Sequence, residues 1–141
     1  FAQRSKPFKW AMEKLAGLDR RRTLPSYASQ TFEAWFEGRP TTVQSGRPKV
    51  ALFCDTYLNF YEPRIGRAAV ELLEGCGYEV LLACVGCCQR PRISHGYLRA
   101  AKDEGGRTLQ ALRPYFDQKI PVLVCEPSCA SALTDDPLNR A

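Results

Sequence analysis

An open parallel α/β sheet is the fold this sequence predicts, and three observations predict it. Short runs at Val50–Phe53, Tyr78–Ala83 and Ile120–Val124, apolar but for Glu79, have the length and hydrophobicity of strands buried on both faces. Segments with helical spacing separate them, so the order reads βαβαβα, which right-handed crossovers turn into a parallel sheet covered on both sides. Cysteines follow each run: Cys54 the first, Cys84, Cys87 and Cys88 the second, Cys125 and Cys129 the third. The expected architecture is three-layered and Rossmann-like, preceded by an N-terminal helical segment.

Residues 1–37 form that basic helical segment. Ser5 is its expected cap and Pro7 suits a first turn. Phe8, Ala11, Met12, Leu15 and Leu18 then recur at helical spacing up to a stop at Gly17. Asp19–Pro25 is a basic connector. Thr31–Phe36 fits one or two helical turns, capped by Ser29 or Thr31 and stopped by Gly38, with Phe32, Trp35 and Phe36 on one face. Residues 38–48 hold turn formers without periodicity and read as a linker.

The cysteine-rich domain spans 49–141. After the first strand, Pro63 opens a helix whose expected buried stripe is Ile65, Ala68, Ala69, Leu72, Leu73 and Cys76, ended by Gly75 and Gly77. Cys76 on that stripe reads as a small core residue. After the second strand, Ser94 is expected to cap a long helix with Tyr97, Leu98, Ala101, Leu109, Leu112 and Phe116 towards the core. Gly105-Gly106 interrupts it at about 1 kcal/mol per glycine relative to alanine, and Pro114 is expected to kink its end. Ser128 is expected to cap a last helix through Cys129, Ala132 and Leu133, with Pro137 near its end.

At 141 residues the chain fits one domain plus an appendage. No run reaches the roughly 18–20 apolar residues of a membrane span. The net charge of +5 is uneven: residues 1–49 carry ten Lys/Arg against four Asp/Glu, residues 50–141 ten against eleven. A short basic segment around Arg20-Arg21-Arg22, interleaved with apolar anchors, reads as docking on neighbouring protein rather than on nucleic acid or membrane. The chain starts at Phe1 without a signal-peptide pattern and is expected to be a fragment of a larger protein, cytoplasmic, with at most peripheral contact at the inner face of the membrane. Seven cysteines without a secretion signal point to metal or redox chemistry rather than a disulfide framework.

Cys87-Cys88 is the sharpest local signal. Neighbours on an extended chain point to opposite sides, so only an irregular turn lets both thiols face one centre. In open parallel sheets the carboxyl ends of the strands form the functional edge. Cys54, Cys87, Cys88, Cys125 and Cys129 are therefore candidate metal ligands, with Cys84 a further candidate. Thiolates suit zinc and iron–sulfur clusters. A structural zinc takes four ligands at most, so this many dispersed thiols favour a cluster. Cys129, at a helix start, has free amide N–H groups nearby that stabilise thiolate and cluster sulfur. The loop after the first strand has no glycine and lacks a phosphate-cradling motif. His95 reads as a surface turn residue.

The spacing Cys54, 32 residues, Cys87-Cys88, 36 residues, Cys125 and nearby Cys129 resembles the CCG (cysteine-rich) domain family. That family includes the cysteine-rich subunit of heterodisulfide reductase and the iron–sulfur subunits of glycolate oxidase and anaerobic glycerol-3-phosphate dehydrogenase. Leu18-Asp19-Arg20-Arg21-Arg22-Thr23-Leu24-Pro25, Phe60-Tyr61-Glu62-Pro63, Arg90-Pro91 and Glu126-Pro127-Ser128-Cys129 look like the C-terminal part of FAD-linked oxidases with iron–sulfur domains. Gln89 stands where the family has glycine, and three residues separate Cys125 from Cys129 where the family has two between its last pair. A second repeat, present in relatives, is absent here.

The resemblance implies an iron–sulfur cluster, 4Fe-4S or non-cubane, in an electron-transfer module of a dehydrogenase acting on D-lactate, glycolate or D-2-hydroxyglutarate. FAD would sit on another part of the parent, and the chain alone would not be an active enzyme. Implied partners are FAD-binding and ferredoxin-like domains and an electron acceptor, a quinone or other carrier; no nucleic acid is expected. Two other readings stay open at this level: a zinc-binding or docking module without a redox role, and thiol–disulfide chemistry at Cys87-Cys88.

Overall fold

The computed structural model describes residues 5–22, 25–40 and 46–134. It contains α1 (Lys6–Ala16), α2 (Phe32–Gly38), β1 (Lys49–Phe53), α3 (Thr56–Phe60), α4 (Pro63–Gly75), β2 (Glu79–Ala83), α5 (Arg90–Ser94), α6 (Leu98–Asp117), β3 (Val122–Val124) and α7 (Pro127–Thr134). The three strands form one parallel sheet in the order β2-β1-β3, with Phe53 level with Ala83 on one side and Val124 on the other. The expected open parallel α/β sheet with an N-terminal helix is what the chain forms. Residues 41–45 of the expected linker, and Pro137, lie outside the described residues.

Alternation along β1 divides the core into two layers. Val50, Leu52 and Cys54 face a cluster with Phe32 of α2, Leu58 of α3 and Val70 of α4. Ala51 and Phe53 face the other, with Leu112 of α6 and Cys129 and Ala132 of α7. Helices thus cover both faces, because a strand apolar at every position must be shielded on both sides.

Several local expectations are corrected. On α4 the buried residues are Gly66 and Val70, and the expected Ala69 and Leu73 pack against the core beside them, while Ile65 and Leu72 are 46% and 68% exposed. The reason is Phe32, fully buried against α4: a Cβ on Gly66 would lie 2.7 Å from its ring. The bare backbone at Gly66 admits the ring and turns the helix about its axis, away from the phase its large residues predict. Cys76 follows that rotation and is exposed, not a core residue. On α6 the expected Ala101 and Leu112 are buried, joined by Gly105 and Thr108, while Tyr97, Leu98 and Phe116 stay outside. The helix runs unbroken through Gly105-Gly106.

Caps differ too. Thr31 caps α2 as expected, accepting from the Ala34 amide at 3.1 Å. Ser94 ends α5 instead of capping the long helix, which starts after Tyr97. Glu126 precedes α7 and accepts from the Ser128 amide at 3.3 Å, so the helix begins one residue before the expected cap. The short helix α3 has no counterpart in the sequence expectation. Asp55 caps it by accepting from the Tyr57 and Leu58 amides at 2.8 and 2.9 Å.

α2 packs against α3 and α4 and brings Trp35 and Phe36 onto the core. α1 contains no buried residue; Trp10 and Leu15 on it are 55% and 87% exposed.

Candidate metal centre

The strand order reverses direction at β1, and the crevice at such a point is where open α/β sheets bind ligands. Here the crevice is a cavity of about 340 Å³ lined from all three strand ends. Asp55, Thr56 and Tyr57 come from the turn after β1, Cys87, Cys88 and Arg90 from the turn after β2, and Glu126, Ser128 and Cys129 from the turn after β3. Its volume is that of a small-molecule or cofactor site.

The turn after β2 has the irregular geometry that adjacent thiols require. Gly86 has φ +132°, and a Cβ there would meet the Thr108 hydroxyl at 2.6 Å. Thr108, buried on α6, donates toward the Cys87 carbonyl at 3.2 Å. Gln89, at the glycine position of the family pattern, adopts φ +66° and ψ +5°, the left-handed region. Its side chain holds it there: Nε2 donates to the Cys87 carbonyl at 3.0 Å, and Oε1 accepts from Arg92 at 3.0 Å. The left-handed residue reverses the chain directly behind the paired thiols, and α5 leads it away. Arg90 then reaches across to the Ser131 hydroxyl at 2.9 Å, clamping α5 to α7.

Three of the five candidate thiols share this cavity. Cys88 and Cys129 are buried with sulfurs 2.8 Å apart, and Cys87 is half-buried beside them. A hydrogen bond with Cys88, then burial, pushes the Cys87 thiol above the ordinary thiol range. The Cys88 thiol is raised by its hydrogen bond with Cys129. Protonated thiols crowded together hold their protons, and a metal removes that preference by replacing them.

The other two candidates reach the same edge on the opposite face. Cys54 is buried in the α2–α4 layer, and Cys125 packs against that layer. Cys84, the further candidate, is exposed; a hydrogen bond with Cys54, then burial, pushes its thiol well above the usual range, with Glu33 adding to it. Burial and then the nearby Asp55 raise Cys125. Among the described residues, no three His, Cys, Asp or Glu side chains converge on one point as a single bound ion would require.

Sequence reasoning missed the non-thiol lining. Asp55 is 2% exposed, and its second oxygen, Oδ2, is buried without a hydrogen-bond partner. An Asp directly after a strand, two and three residues before the amides it caps, is a recognisable helix-start signal. Tyr57 and Tyr61 form the outer wall, stacked at 5.5 Å, and Tyr27 stacks on Tyr61 at 5.0 Å.

The class of protein these features define is an open parallel α/β domain with a thiol-lined cavity at the carboxyl edge of its sheet. No family model matches the chain, and no solved structure matches it. Known proteins do. The chain is 29% identical to a subunit of the anaerobic glycerol-3-phosphate dehydrogenase of Escherichia coli K12 over 133 residues, covering 93% of this chain and 34% of that protein. It is 32% identical over 90 residues to lactate utilization protein A of Geobacillus thermodenitrificans, covering 63% and 36% respectively. The same protein from Macrococcus caseolyticus matches at 34% over 84 residues, covering 59% and 33%. The chain spans about a third of the length of these relatives. Among the described residues no helix is long and apolar enough to cross a membrane.

Proposed function

We propose that the chain is an electron-transfer module of an oxidoreductase, with an iron–sulfur centre at the carboxyl edge of its sheet. The observation that carries this is the meeting of Cys87, Cys88 and Cys129, from two separate strand ends, around one cavity with room for a cofactor. The donor set is soft sulfur, which suits a cluster. A cluster spreads its ligands over several irons, so Cys88 and Cys129 would separate on loading. Such a centre supplies one-electron transfer when bound. The chain's own part is to present the thiols from a rigid turn, to surround them with apolar wall and to exclude water. Cys54 and Cys125, candidates by spacing, lie with the α2–α4 layer instead, with Cys84 beside Cys54.

Similarity to a dehydrogenase subunit and to lactate utilization proteins supports the oxidoreductase setting. Within it we assign flavin chemistry to FAD-binding and ferredoxin-like domains or subunits, and the acceptor to a quinone or comparable carrier. The oxidised substrate is a small hydroxy compound: a 2-hydroxy acid such as D-lactate, glycolate or D-2-hydroxyglutarate, or a polyol phosphate. The exposed α1 and its basic connector form a docking segment for those neighbours, distinct from the domain that begins at Lys49. The test is anaerobic reconstitution with iron and sulfide. Stoichiometric iron and acid-labile sulfide with broad visible absorbance are expected. Stoichiometric zinc without a visible band would replace this reading with a zinc module.

A further inference from the structure

Three thiols leave a cluster of cubane type one protein ligand short, and chain order offers Cys54 for the fourth place. The pleat of β1 argues against it. Residues alternate between faces, so Cys54 follows Val50 and Leu52 into the α2–α4 layer, where it is 5% exposed. The next residue, Asp55, is also extended and lines the cavity of Cys88 and Cys129, while its other side borders Cys125.

Asp55 is also under-satisfied in a way that a purely structural role does not explain. Its Oδ1 accepts both α3 amides, which is all that capping requires. Its Oδ2 is buried and has no partner. Burying an unpaired carboxyl oxygen costs stability, and such costs persist where a ligand repays them. An asparagine would cap equally well without the charge.

We infer that Asp55, through Oδ2, completes the ligand ring of Cys87, Cys88 and Cys129, in the place that chain order would give to Cys54. The inference rests on the iron–sulfur reading above. A carboxylate is a harder ligand than thiolate, so it leaves one iron held differently from the other three.

The experiment compares wild type, Asp55→Asn, Asp55→Cys and Cys54→Ser after anaerobic reconstitution with iron and sulfide. It reads metal per chain, the electron paramagnetic resonance spectrum and, separately, the urea midpoint of the metal-free proteins. Asp55→Asn keeps the cap, so its metal-free midpoint should equal or exceed wild type, while its iron content falls at least twofold or its spectrum changes form. Asp55→Cys loses the cap and should unfold earlier, yet retain wild-type iron with an altered spectrum, which a merely structural residue would not do. Cys54→Ser should keep wild-type iron and spectrum. Wild-type iron and an unchanged spectrum in Asp55→Asn overturn the inference and leave the cluster reading standing, as does loss of iron in Cys54→Ser alone. Failure of wild type to bind iron overturns both.

Discussion

Replacing Gln89 by glycine and by alanine separates two opposed effects at the turn behind the paired thiols. Gln89 holds a left-handed conformation, φ +66°, while 6% exposed. For a residue with a Cβ that conformation costs about 1–2 kcal/mol. Its side chain returns two hydrogen bonds, to the Cys87 carbonyl and from the exposed Arg92. Thr108 also donates toward the Cys87 carbonyl, so that oxygen is not orphaned when the amide is removed. Each lost bond then costs about 1 kcal/mol. Gln89→Ala removes both bonds and keeps the backbone cost, a loss of about 2 kcal/mol. Gln89→Gly removes the same bonds and relieves the backbone, but frees the unfolded chain by about 0.4–1 kcal/mol. At mid-range of these values the glycine variant should therefore be destabilised by about 1.2 kcal/mol, less than the alanine variant. With an m value of about 2 kcal/mol/M, the two urea midpoints should differ by roughly 0.3–0.5 M. Far-ultraviolet circular dichroism of the metal-free protein reads this directly. An alanine variant as stable as the glycine variant would refute the backbone cost of the turn, and an alanine variant as stable as wild type would refute the hold of the side-chain bonds.

Gly66→Ala should lower the unfolding midpoint by an equivalent of about 1–3 kcal/mol, because the new Cβ would stand 2.7 Å from the packed Phe32 ring. Thermal melts check it, and an unchanged melt would mean the ring moves freely. Two thiols predict the alkaline behaviour of the metal-free protein: Cys87 is raised by its bond with Cys88 and by burial, Cys125 by burial and Asp55. A raised folded pKa adds stability that is complete below the unfolded thiol value, about 8.5, and is lost as pH rises toward the folded one. Urea midpoints should be level from pH 7 to 8 and fall above 9 by up to about 1.4 kcal/mol per pH unit per thiol. Replacing both residues with serine should lessen that fall without abolishing it, because Cys84 and Cys88 are raised too. Limited alkylation at neutral pH should modify Cys76 before Cys84, since both are exposed but the Cys84 proton is held by its bond with Cys54; peptide mass mapping reads the order, and Cys76→Ala should leave iron uptake unchanged. In the full-length parent, α1 should dock on protein through Phe8, Trp10 and Leu15. Strong co-flotation with anionic liposomes, abolished by replacing Arg20, Arg21 and Arg22 with alanine, would instead assign it to a membrane surface.

By itself the sequence determined the layered fold. Three apolar runs with no polar face, such as Val50–Phe53, have to be covered on both sides, and helical crossovers between them leave a parallel sheet as the solution. It also determined which edge carries the chemistry, because cysteines follow every strand and parallel strands end together. What the tertiary structure decided is phase. The direction of a helix face was legible only when its large residues set the packing. On α4 the absence of a side chain at Gly66 set it instead, and a missing Cβ leaves no mark in hydrophobic periodicity. The same holds at the site. Chain order counts Cys54 and Cys129 as equal neighbours of Cys88, yet Cys54 turns into the α2–α4 layer and it is Asp55 that lines the Cys88–Cys129 cavity. A spacing pattern records distance along the chain and not the side of the sheet, and a one-residue step changes that side.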